Sequence, residues 1–191
     1  IADHPEVREA MRTLARRRGA LRVRGYDETE DSQGTYQMYQ NFFADVRMMK
    51  PHHTLALNRA EREGVLKIDL EIPEQDAQGI LARRFATDYG SPLVDDLLEA
   101  RRDGYDRLLF PAVEREIRSA LTEQADDHAI GVFATNLRSL LLQPPLRGET
   151  VLGIDPGIRT GCKVAVVDPT GKVLATSTIY PDRDETRAQA E

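Results

Sequence analysis

The stretch VLGIDPGIRTGCKVAVVDPTGKVLA, Val151 to Ala175, decides the fold of the C-terminal part of this chain. VLGID and CKVAVVD are short apolar strand patterns, KVLATSTIY is a third, and PGIRTG and PTG join them. Connections this short predict an antiparallel three-stranded meander. Asp155 then closes the first strand and Asp168 the second, so at about 3.3 Å per residue the two carboxylates stand roughly 15 Å or more apart and cannot share a metal ion. The third strand returns toward Asp155, which brings Asp182 and Asp184 near it. Those two precede ETRAQAE, where acids at a helix start have a structural explanation.

Three chemistries compete for Asp155. A two-metal nuclease needs several carboxylates converging on ions about 4 Å apart, and Asp155 is the one convincing ligand here. The turn carries Gly157, Arg159, Thr160, Gly161 and Lys163, whose amides and cations could face a phosphate. A plain hairpin corner fits the same residues. Spacing alone leaves the choice open.

Upstream of this meander the patterning is helical. QPPLRGE, Gln143 to Glu149, interrupts it with two prolines and a glycine, which predicts a boundary between residues 1–148 and 149–191. PEVREAMRTLARRRG reads as a helix with Val7, Met11 and Leu14 on one stripe, Pro5 in the first turn, acids early, arginines late and Gly19 as its stop. YDETEDSQG is turn-rich and acidic, expected as an exposed loop. TYQMYQNFFADVRMM places Tyr36, Tyr39, Phe43 and Val46 at helical spacing, so a core-facing helix is expected, and packing outweighs base stacking because no basic residues interleave. HHTLALNRAEREG is a short helix; His52 and His53 are adjacent rather than four apart and have no third ligand nearby, so a surface role is expected. VLKIDLEIP alternates as a half-buried strand. In SPLVDDLLEARRDG, Ser91 is expected to cap a helix, Pro92 to occupy its first turn and Gly104 to end it. Two further helical stripes run from Tyr105 to Gln143, as a helix pair or one bent helix, with Pro111 and Gly131 as the disturbing positions.

The whole chain has 191 residues, 40% apolar and 30% charged, a soluble globular balance. Its net charge of -6 excludes a surface uniformly suited to nucleic acid. The one basic concentration lies in the first 25 residues, where Arg8, Arg12, Arg16, Arg17, Arg18, Arg22 and Arg24 stand against three acids. These are the candidate phosphate contacts, although Arg16, Arg17 and Arg18 also suit the C-terminal dipole of their helix. No apolar run approaches the roughly 20 residues needed to cross a bilayer, and no signal core opens the chain. Cys162 is the single cysteine, which excludes an internal disulfide and suits a reducing, cytoplasmic compartment. The chain opens on Ile1 and stops within helical patterning, so an interior fragment is expected.

VLGIDPGIRTGCKVAVVD closely resembles the opening of the YqgF-like, RNase H-fold domain of the bacterial Tex transcription accessory proteins. RDGYDRLLFPAVEREIRSALTEQADDHAIGVFATNLRSLLL and HHTLALNRAEREGVLKIDLEIP resemble the segments that precede it in that family, so the similarity runs from about Thr35 to Asp168. The fold it implies is a mainly α-helical scaffold followed by the first three antiparallel strands of an α/β RNase H-like domain, truncated. It implies RNA or DNA as partner of the full-length protein, with the transcription machinery nearby, no cofactor and no membrane. Asp155 falls where RNase H-fold nucleases place their first metal ligand; the later acids of such a set have no counterpart here, so catalysis is not expected. Two rivals remain: a metal-dependent nuclease or resolvase using Asp155, and an ATP-binding domain of the actin and sugar-kinase type.

Overall fold

The computed structural model describes residues 3–86, 89–144, 146, 148–157 and 160–180. Arg159, Asp182, Asp184, the ETRAQAE segment, and Pro145 and Arg147 of the expected boundary lie outside the described residues. Contacts divide the chain into two units, at Asn136/Leu137.

In the first unit, α1 (Pro5–Arg18) begins with proline in its first turn and ends with three arginines, and it buries Val7, Met11, Leu14 and Ala15. Gly19 ends it in an extended conformation, with its N–H donating to the Ala15 carbonyl. Glycine is required there by space: a Cβ would stand 2.3 Å from the Ala15 oxygen. The chain then enters β1 (Ala20–Tyr26), which is central in a sheet of order β2-β1-β3, with β2 at Phe43–Asp45 and β3 at Leu66–Glu71. Both neighbours are antiparallel, in register Arg22↔Phe43 and Arg22↔Asp69. Alternation along β3 buries Leu66, Ile68 and Leu70 and leaves Lys67 and Asp69 in solvent, as its period of two requires.

The helices α2 (Pro51–Arg62), α3 (Glu74–Arg84), α4 (Val94–Asp103) and, as far as Asn136, α5 (Phe110–Leu141) complete the unit. Leu57, Leu81, Leu109, Val113 and Ile117 join the inner sheet face and α1 in one core. Truncating a fully buried side chain such as Leu81 to alanine costs about 2–5 kcal/mol.

Four expectations are corrected. Residues 35–49 are not one helix: they form a 3-10 turn at Gln37–Tyr39, strand β2 and a second 3-10 turn at Val46–Met48. The loop before them is not simply exposed, because Asp31 is buried and accepts the backbone N–H groups of Thr35 at 2.7 Å and Tyr36 at 2.8 Å and the Tyr26 hydroxyl at 3.0 Å. Ser91 does not cap α4; its Oγ accepts the Leu93 N–H at 3.2 Å in the turn ahead of the helix. Gly104 does not end the helix either. It opens a π-helical turn, Gly104–Leu109, that carries the chain directly into α5. Pro111 follows that turn; it offers no N–H to the Arg107 carbonyl, and the wider π turn relieves the clash a proline ring makes with the preceding turn of an α-helix.

The second unit holds an antiparallel sheet of order β4-β5-β6, with β4 at Val151–Asp155, β5 at Cys162–Val167 and β6 at Val173–Ile179. This is the meander expected from its turns.

Candidate nucleic-acid interface and the Asp155 turn

On α1, Arg8 and Arg12 lie one turn apart and therefore point the same way. Both reach Glu116 of α5: Arg8 hydrogen-bonds Oε1, and the Arg12 Nε stands 3.0 Å from Oε2 as an ion pair without hydrogen-bond alignment. Arg12 also pairs with Glu9 at 3.1 Å. Arg18 pairs with Asp76 at the start of α3, while at the other end of α1 the His4 Nε2 accepts the Arg84 Nε–H at 2.8 Å. Along β1, the Arg22 Nε donates to Glu71 at 2.9 Å, and Arg24 pairs with Glu71 and with Asp69 at 3.6 Å. Five of the seven candidate arginines thus hold carboxylates of α3, α5 or β3. Arg16 and Arg17 are exposed and make no ion pair among the described residues.

Apart from Glu9, the carboxylate partners lie between 45 and 108 residues away in sequence, which is why periodicity did not reveal them. Each pair is partly exposed, so each contributes about 0–1 kcal/mol. Together they orient α1 against its neighbours. Two further contacts seat α5 along the free edge of β3: the Glu114 Oε1 accepts the Leu70 N–H at 3.0 Å, and Arg118 donates to the Ile68 carbonyl at 3.2 Å while pairing with Glu61 of α2. Side chains of a helix thereby satisfy backbone groups that an open sheet edge would leave to solvent.

The outer face of the β2-β1-β3 sheet carries the aromatic side chain that sequence periodicity had assigned to a core. Phe43 is 51% exposed, and the Arg22 guanidinium lies over its ring, 4.6 Å from the centroid. Tyr36 is buried instead, with its hydroxyl donating to the Glu63 Oε2 at 2.7 Å. His53, in the first turn of α2, packs edge-on against Phe42 and Tyr39. Burial holds it below the ordinary histidine range, and His52 and Lys50 add charge repulsion.

In the second unit, Asp155 ends β4 directly opposite Lys163 of β5, and Thr178 of β6 faces Lys163 from the other side. The next row is Gly153, Ala165 and Thr176, so small side chains floor a depression of about 760 Å³ beside Asp155. Asp168 stands at the other end of β5, where it organises the turn to β6: it accepts the Thr170 hydroxyl at 2.6 Å and the N–H groups of Thr170 and Lys172 at 2.8 and 3.0 Å. Those bonds, the Thr170 hydroxyl first, hold its carboxyl below the usual range. Among the described residues no three His, Cys, Asp or Glu side chains converge as a metal site. Gly161 has φ +78°, and a Cβ there would stand 2.6 Å from the Tyr180 ring.

Residues 1–133 match the family described as Tex central region-like, and residues 149–191 match the Tex protein YqgF-like domain. The chain is 42% identical over 182 residues to the uncharacterized protein YdcI of Bacillus subtilis, a match covering 95% of this chain and 25% of that protein. It is 36% identical over 177 residues to protein tex of Bordetella pertussis, covering 85% and 22% of the two chains. The human S1 RNA-binding domain-containing protein 1 is 30% identical over 192 residues, covering 94% of this chain and 19% of that one. The chain therefore spans about a quarter or less of the length of these relatives. With the two family matches following one another along its length, and the first covering well over half of it, the chain belongs to the Tex family.

Proposed function

We propose that this chain is the scaffold portion of a cytoplasmic, nucleic-acid-binding transcription accessory protein, and that RNA or DNA is engaged chiefly by other parts of the whole protein. The observation that carries this reading is the engagement of Arg8, Arg12, Arg18, Arg22 and Arg24 with carboxylates of neighbouring elements. Charges held in this way fix helix against helix and sheet, and they add little net attraction for phosphate. The relative named for an S1 RNA-binding domain supports RNA as the ligand of the parent. Phosphate contact by this portion falls to Arg16 and Arg17 and is weak and indifferent to sequence. A salt titration of binding to random single-stranded RNA tests it: two phosphate contacts give a log-log slope of about -1.4, whereas engagement of all seven arginines gives a slope several times steeper.

The same reading makes this portion catalytically inactive. Asp155 is paired in register with Lys163 on the neighbouring strand, and Asp168 is bound within its own turn at the far end of β5. Phosphodiester cleavage by two metals needs carboxylates arranged around ions about 4 Å apart. Incubation of labelled single- and double-stranded substrates with magnesium or manganese is expected to give no cleavage; cleavage abolished by Asp155→Asn would restore the nuclease or resolvase reading.

A further inference from the structure

The geometry points to the outer face of the β2-β1-β3 sheet as a stacking platform for an unpaired nucleobase of single-stranded nucleic acid, with Phe43 and the Arg22 guanidinium as its surface. This rests on the nucleic-acid reading proposed above and assigns it a place. Phe43 and Arg22 are cross-strand partners, and the guanidinium lies 4.6 Å from the ring centroid. Arg22 does not wander, because its Nε donates to Glu71 at 2.9 Å, and Glu71 also holds Arg24. The result is a guanidinium stacked on an aromatic ring, both about half exposed and held by Glu71, on a sheet face rather than in a core. Every base has a π-face, and both aromatic rings and arginine planes accept one, so such a surface binds bases without reading their identity.

Charge around the platform favours the same ligand. The cations on this face, Arg22, Arg24 and Lys67, are balanced by Asp45, Asp69 and Glu71, so the face itself does not repel a polyanion. The excess positive charge comes from the end of α1. Arg16 and Arg17 lie within one helical turn of Gly19, whose carbonyl accepts the Val46 N–H at 2.9 Å immediately after β2. α1 packs on the inner face of the sheet, so these two unpaired guanidinium groups act on a flanking strand as a nearby positive charge and not as part of the platform. An acidic peptide would use the same arginines without needing the ring.

The chain contains no tryptophan, so Phe43→Trp installs a single indole at the platform. A uridine or adenine homopolymer RNA should quench that indole strongly, and inorganic polyphosphate or polyglutamate should not. Phe43→Ala should lower RNA affinity about fivefold or more while leaving the salt slope unchanged, with affinity kept in Phe43→Trp. Arg16→Ala combined with Arg17→Ala should flatten the slope and keep the quenching at saturation. RNA that binds without quenching the indole overturns the platform and leaves the proposed function standing; no RNA binding under any salt condition overturns the platform and the direct contact by Arg16 and Arg17, and leaves the scaffold role standing. Quenching by polyglutamate equal to that by RNA makes the face a docking surface for acidic protein and likewise overturns the proposal.

Discussion

Glu116 receives two arginines of α1, each with about a third of its side chain exposed. Replacing it by glutamine leaves Arg8 and Arg12 close together with Glu9 as the one remaining paired carboxylate, on Arg12. Glu116→Gln should therefore lower the unfolding free energy by about 1–2 kcal/mol, read as a lower denaturant midpoint. Gly161 is subject to a different constraint, positive φ together with the Tyr180 ring, so Gly161→Ala should cost about 1–3 kcal/mol and broaden the amide signals of the β4-β5-β6 sheet. Tyr105 supplies a titration. Burial first, then the charges of Asp106 and Glu74, push its hydroxyl up to about 12. A tyrosine whose folded value is raised favours folding fully below pH 10 and loses that contribution as pH rises toward 12. An alkaline stability profile should show this loss, and Tyr105→Phe should flatten it.

At the scale of elements, the patterns that repeat strictly were legible. The stripe of α1, the alternation of β3 and the short turns between β4, β5 and β6 each follow from spacing, because one face of each element is required to be apolar or because connections of five or six residues join antiparallel neighbours. Residues 35–49 were misread because their aromatic spacing mimics a helix while pairing with distant Ala20–Arg22 claims the backbone. No local signal marks that pairing. The seat of α5 was equally hidden, since Glu114, Glu116 and Arg118 look like an ordinary solvated face until β3 and α1 are set against them. Gly131 lies within this helix with nothing near its Cβ position. Gly131→Ala should raise stability by about 0.5–1 kcal/mol, seen as a higher melting temperature by circular dichroism.

The molecule as a whole consists of two units whose cohesion has different sources. The first has a continuous buried cluster and a ring of long-range ion pairs; the second is a three-stranded sheet with Leu152, Ile154, Val173 and Leu174 exposed. Asp155 was legible as a strand-ending acid, whereas its cross-strand neighbour Lys163 was read only as a turn cation and is fixed by the strand register. That the basic N-terminal residues act mainly within the protein was not legible, because a charge count cannot see partners brought near by folding. Paired alanine substitutions test that claim most directly, measuring unfolding free energy and RNA affinity on the same samples. Arg8→Ala with Arg12→Ala should destabilise the fold by about 1 kcal/mol or more and leave RNA affinity within about twofold, while Arg16→Ala with Arg17→Ala should leave stability unchanged and weaken RNA binding. The reverse assignment, with the α5-facing pair required for RNA and dispensable for stability, would contradict the account.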